Sequence, residues 1–150
     1  MTVQVRLAQD GDMAAVYGLR HEVFVVGQDV PEDMERDEHD DACDHAVALR
    51  AGQVLATGRL LDPGTGTGTI GRMAVADAAR GTGLGAAVLA RLEERARERG
   101  LAAVELHAQT HAQGFYDRAG YTPYGETYLE AGIEHVSMRK ELRAPEAAAR

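Results

Sequence analysis

Hydrophobic and polar positions change period several times along this chain, and each change marks an element. VQVRLA at 3–8 alternates with period two, the pattern of a half-buried strand. DGDMAAVYGLRHEVFV follows with an acidic cap and then apolar residues at helical spacing, so a helix comes next. HAVALRAGQVLATGRLLD at 45–62 predicts two strands joined at Ala51-Gly52-Gln53. PGTGTGT then reads as a loop before the strand TIGRMAVA, which completes a three-strand meander. From Gly83 the period turns helical: Leu84, Val88, Leu92 and Ala96 fall on one stripe, and Gly100 is the natural stop. AAVELHAQ predicts another strand, followed by a short helix from about His111 to Ala119 and closing strands near 121–129 and 135–141. With a short helix and loop in 29–44, the order is β-α-α-β-β-β-α-β-α-β-β, an α/β (α+β) domain over residues 3–142. RAPEAAAR at 143–150 carries no such pattern and is expected to be a flexible C-terminal tail.

Composition narrows the class. A length of 150 residues suits one domain with one substantial core. No apolar run reaches the roughly 18 residues of a membrane span, and MTVQVRLAQD lacks the charged-then-apolar order of a secretory signal, so a soluble cytoplasmic protein is expected. Cys43 is the lone cysteine, which leaves no internal disulfide and predicts a free thiol without a special role. The net charge of -8 argues against a nucleic-acid binder, because neutralising phosphates needs a basic face. Much of the acid is local: DVPEDMERDEHDDACD at 29–44 holds nine carboxylates against Arg36. That run is either a solvated face or a negative rim that draws in cationic substrates.

Three phosphate-binding patterns compete for the glycines. A P-loop needs a Lys and a Ser or Thr after its last glycine and then a helix, whereas Gly66 to Gly71 is followed by Arg72-Met73 and a continuing strand. A dinucleotide fingerprint matches formally at Gly81, Gly83 and Ala86, but four residues separate the preceding strand from the first glycine, and too little chain remains for two mononucleotide halves. The third pattern, R-x-x-G-x-G-A at Arg80–Ala86 between a strand and a long helix, agrees with its surroundings. Glycines let consecutive backbone N–H groups close around an anion, and the helix N-terminus adds partial positive charge. Such a loop fits a pyrophosphate, with Arg80 adding a charge-assisted contact.

At these residues the chain resembles the GNAT superfamily of acyl-CoA-dependent N-acetyltransferases, whose signature is [RQ]-x-x-G-x-[GA]. IGRMAV before the loop, VELHAQ after the helix and GFYDRAGYTPYG keep the same order. HEVFVVGQ, LHAQTHAQGFYDRAGY and EAGIEHVSMRKEL look more narrowly like the ElaA/YjcF-like branch. One departure is visible, since that branch commonly has Glu where this chain has Gly27.

The resemblance implies a mixed sheet splayed between the strands at 69–76 and 103–109, with acetyl-CoA as co-substrate in the opening. The pantetheine arm would pair with the backbone of Met73, Ala74 and Val75, and the pyrophosphate would sit on Arg80, Gly81, Thr82, Gly83, Leu84, Gly85 and Ala86. The implied reaction is direct acetyl transfer to a primary amine, small or on a protein, in a ternary complex. Tyr116 stands where the family often places its general acid, and the Val75 N–H is the implied oxyanion contact. The base is open: His107 leads, with Gln109, His111, Glu22, Glu126 and His135 in segments the fold could bring close, and with His45 and His135 placed behind. His107-Ala-Gln-Thr-His111 spaces two imidazoles like a zinc motif, but the strand-to-helix boundary breaks the i, i+4 geometry, so no metal is expected. A non-catalytic acyl-CoA sensor is the alternative that the missing carboxylate at Gly27 keeps open. A homodimer is compatible with the sequence; no nucleic-acid or membrane partner is expected.

Overall fold

The computed structural model describes residues 2–142; the tail expected at 143–150 lies outside them. Seven strands form one sheet: β1 (Val3–Leu7), β2 (Asp44–Arg50), β3 (Gln53–Leu61), β4 (Thr67–Val75), β5 (Ala103–Gln109), β6 (Thr122–Glu130) and β7 (Ile133–Glu141). Their spatial order is β1-β2-β3-β4-β5-β7-β6. Every neighbouring pair is antiparallel except β4 and β5, which run parallel. The four α-helices are α1 (Met13–Arg20), α2 (Glu32–Glu35), α3 (Leu84–Glu98) and α4 (Gln113–Arg118). The predicted order is the observed one, with one refinement: after Arg20 the chain continues as a π-helical turn, His21–Val26.

The two helical layers follow from strand alternation. Along β2, Ala46 and Ala48 belong to one core cluster with the Leu84, Val88, Leu92 and Ala96 stripe of α3, while Val47 and Leu49 join Val16 and Leu19 of α1 in a second. Both faces of β2 are therefore covered, which is why its residues read as a near-continuous apolar run.

The opening in the sheet has a local cause. Thr57 of β3 pairs with Ala74 and Arg59 pairs with Gly71, so β4 carries one extra residue over this stretch, a β-bulge. Arg72 takes up the extra length with φ +54°, in the left-handed region. Gly58 opposes the bulge, and a Cβ there would meet Leu92 Cδ1 at 2.9 Å, so only glycine lets α3 pack so closely. Beyond the bulge β4 leaves β5: their ladder covers only Thr67–Ile70 against Ala103–Leu106.

Candidate active site

The divergence of β4 and β5 leaves a cleft of about 550 Å³. Met73, Ala74, Val75 and Arg80 line it on the β4 side, and His107, Gln109 and Tyr116 on the other. The α1–α2 segment closes it with Val23, Phe24, Val30 and Met34, and the β6–β7 turn with Ala131 and Ile133. Ala76 donates its N–H to Leu55 of β3. Strand alternation therefore turns the neighbouring Val75 N–H away from β3 and into the opening.

The loop Arg80–Ala86 begins at the cleft, which Arg80 lines. Gly81 and Gly83 hold φ +78° and +85°, which lets the chain turn into α3 with its amides facing one side. The N–H groups from Gly81 through Ala86 find no acceptor among the described residues, and Gly83 caps α3 without a side-chain bond. A Cβ on Gly81 or Gly83 would meet nothing within 4 Å, so the space beside these residues is open. Gly85 differs: its Cβ would stand 3.2 Å from Val75, so it holds α3 against β4. The Thr82 hydroxyl donates to the Ala79 carbonyl and ties the loop down. Unpaired donors, open space and the exposed Arg80 guanidinium suit a diphosphate such as that of acetyl-CoA.

Tyr116 is buried, packed edge-on against Phe115 and Tyr121. Burial pushes its phenol up to about 12, so it keeps its proton at neutral pH. His107 lies half exposed on β5, with Nδ1 3.8 Å from a Glu130 carboxylate oxygen. His111 donates Nε2–H to the Gln109 side-chain oxygen at 2.6 Å, and Gln109 exchanges amide hydrogen bonds with Gln28. His135 is buried on the cleft wall, with Nδ1–H donated to the Ile133 carbonyl at 2.7 Å. Glu22 and Gly27 border a side cavity of about 180 Å³ next to Arg80. Glu126 is exposed on β6 away from the cleft, and buried His45 spends Nε2–H on the Asp40 carbonyl. Among the described residues, no three His, Cys, Asp or Glu side chains gather as a metal site, and no helix is long and apolar enough to cross a membrane.

The acidic run departs from its reading as a charged rim. Arg20, fully buried at the end of α1, donates Nε to Glu35 and Nη1 to Asp40, both at 2.7 Å. Arg59 of β3 binds Asp37 at 2.8 Å and Asp40 at 2.7 Å. Arg72 reaches from the bulge to the carbonyls of Glu35 and Met34 and to the Asp37 carboxylate. Burial alone would raise Asp40, but hydrogen bonds from Arg20, the Asp37 N–H and Arg59 hold it well below the usual carboxylate range. Asp44 is bound by Arg95 and Arg99. Of the nine carboxylates only Glu35 reaches the cleft, and its charge is compensated; Asp29, Glu32, Asp33, Glu38 and Asp41 face solvent elsewhere.

The family model of the acetyltransferase (GNAT) domain matches residues 8–142. The chain belongs to the GNAT acetyltransferase family. It is an N-acetyltransferase, and GNAT chemistry is acyl-CoA-dependent acetyl transfer. The N-acetyltransferase YjcF of Bacillus subtilis is 35% identical over 126 residues, 82% of this chain and 88% of that protein. The crystal structure of an acyl-CoA N-acyltransferase from Pseudomonas aeruginosa is 38% identical with a TM-score of 0.81, over 93% of this chain and 99% of that one. That of Escherichia coli ElaA is 27% identical with a TM-score of 0.83, over 93% of this chain and 100% of that one.

Within this GNAT domain, sequence reasoning missed the Arg20–Glu35–Asp40–Arg59 cluster and the bulge at Arg72. A buried charge needs a partner, so an Arg on the apolar stripe of α1 was the available signal: Arg20 shares that face with Val16 and Leu19.

Proposed function

We propose that this GNAT domain transfers the acetyl group of acetyl-CoA directly to a primary amine in a ternary complex, in the cytoplasm. The observation that carries the reading is the juxtaposition of the unpaired β4 edge, the free N–H groups of Gly81–Ala86, and Tyr116 and His107 on one cleft. When bound, acetyl-CoA supplies a thioester carbonyl open to attack by an amine. Met73, Ala74 and Val75 would hold the pantetheine arm as an added strand, and Arg80, Gly81, Thr82, Gly83, Leu84, Gly85 and Ala86 the diphosphate. The Val75 N–H donates to the carbonyl oxygen as charge grows there. Tyr116 donates its phenolic proton toward the departing sulfur, and the half-exposed His107 passes the amine proton on to water.

Release of free CoA thiol from acetyl-CoA, followed across a library of primary amines, tests the proposal. Sustained release with at least one amine is the expected result. Calorimetric acetyl-CoA binding with no release for any amine is what an acyl-CoA sensor would give. The acceptor half of the cleft supports small neutral or singly charged amines, because no uncompensated carboxylate of the 29–44 run faces it.

A further inference from the structure

His135 is the histidine in the cleft whose two ring nitrogens are given separate tasks by the fold. Its Nδ1 lies 2.7 Å from the Ile133 carbonyl, which can only accept, so that nitrogen carries the hydrogen. In the neutral ring the lone pair then resides on Nε2. The ring is stacked on Tyr128, with centroids 5.9 Å apart and planes 23° apart, which fixes its orientation as well as its tautomer. Residue 135 opposes Gln109 on β5 and Tyr128 on β6, so it stands at the end of β5 where β4 has already diverged. Nε2 of His135 has no hydrogen-bond partner among the described residues and is not one of the fully buried atoms, so it is open to the cleft that the residue lines. His107 lacks this preparation: it is half exposed, meets Tyr128 only edge-on at 6.0 Å, and has Glu130 at 3.8 Å from Nδ1.

We infer that His135 is the group that first takes the proton from the acceptor amine, and that His107 with Glu130 at the cleft mouth is the outlet. The inference rests on the acetyl-transfer reading above. The N–H bond of the substrate ammonium breaks, a new N–H bond forms at Nε2, and the electron pair left on the amine becomes the nucleophile. The imidazolium keeps Nδ1–H on the Ile133 carbonyl, so no tautomer change or ring flip accompanies the transfer. The proton then passes to water. The titratable groups on the same side as His135 are Tyr128 and Glu130 on β6, His107 on β5 and His111 in the turn after β5, while Glu134, its neighbour on the strand, points to the other face. The Glu134 carboxylate is itself held by the Thr110 hydroxyl at 3.1 Å.

The test compares His135→Asn and His107→Asn with the parent protein, using an amine that the thiol-release screen has found. Asparagine keeps an N–H donor near the position of Nδ1 and removes Nε2. For H135N the expected result is a fall in kcat of about 100-fold or more, loss of the acid-side ionisation in the pH profile of kcat/KM, and acetyl-CoA affinity within twofold by calorimetry. Free imidazole should restore part of the rate to His135→Ala. H107N should keep the acid-side ionisation and lose less than tenfold. An H135N protein with kcat within threefold, or an H107N protein that alone loses the ionisation, overturns the assignment. A parent that binds acetyl-CoA yet turns over no amine overturns the acetyl-transfer reading instead. Nitrogen-edited NMR of the parent needs no variant: His135 should carry its hydrogen on Nδ1, and an Nε2–H tautomer overturns the inference.

Discussion

Replacing Arg20 by Met tests whether the buried ion cluster is what holds the acceptor wall in place. The Arg20 side chain is 1% exposed and contacts Glu35 and Asp40, themselves 3% and 4% exposed. Methionine fills most of the volume but leaves two buried carboxylates short of a partner. Asp40 retains Arg59 at 2.7 Å, whereas Glu35 retains only Arg72 at 3.5 Å. Breaking a buried pair from one side costs about 3–5 kcal/mol. At about 2–4 °C per kcal/mol for a domain of this size, Tm should fall by about 6–20 °C. The pH dependence gives a second check. Hydrogen bonds from Arg20 and Arg59 depress Asp40 in the folded state, so its contribution is fully present above the unfolded value of about 3.9 and is lost as pH falls through the folded one. Without Arg20 that contribution shrinks, and the Tm gap between parent and variant should narrow as pH drops from 7 toward about 3. Differential scanning calorimetry across that range measures both. A drop below 3 °C at pH 7, or a gap independent of pH, would refute the account of the cluster.

Three further outcomes are expected. Gly83→Glu should stay folded, at about 1–2 kcal/mol for its left-handed backbone, because nothing stands within 4 Å of its Cβ; calorimetry should find acetyl-CoA binding lost, and an unchanged affinity would sink the diphosphate assignment. Tyr116→Phe should lower kcat more than tenfold with acetyl-CoA affinity preserved; a kcat within about twofold, roughly 0.4 kcal/mol of barrier, would make Tyr116 a packing residue. A diamine should show a KM insensitive to ionic strength, since the carboxylates of 29–44 are paired or turned away from the cleft; a severalfold fall at low salt would restore the negative rim.

The strands and helices were legible because each keeps one period: VQVRLA alternates, and Leu84, Val88, Leu92 and Ala96 mark a helical stripe. The placement of the glycine loop between β4 and α3 was legible because Gly83 stands where the helical period begins. The charge state of the 29–44 run was not, because its partners Arg20, Arg59, Arg72, Arg95 and Arg99 come from α1, β3, β4 and the end of α3. No local pattern encodes such pairings. The bulge was hidden for a related reason: Arg72 adopts φ +54° under tertiary constraint, where an isolated reading of IGRMAV gives a regular strand. The engaged Nδ1 of His135 was hidden too, because sequence shows a residue type and not its hydrogen bonds.

The short ladder between β4 and β5 has a mechanical consequence. Four residue pairs join a half-sheet of β1–β4 to a half-sheet of β5, β7 and β6, and beyond Ile70 and Leu106 the two halves separate. In hydrogen-exchange terms the molecule should show two slow-exchanging blocks with a fast seam between them. Amides such as that of Val75, exposed along that seam, exchange at the pace of small openings and not of global unfolding. A ligand that bridged the seam would add the missing rungs, so its binding would stiffen the joint between the blocks. The place where the sheet is least cross-linked would thereby also be the place where a bound chain contributed most to its rigidity.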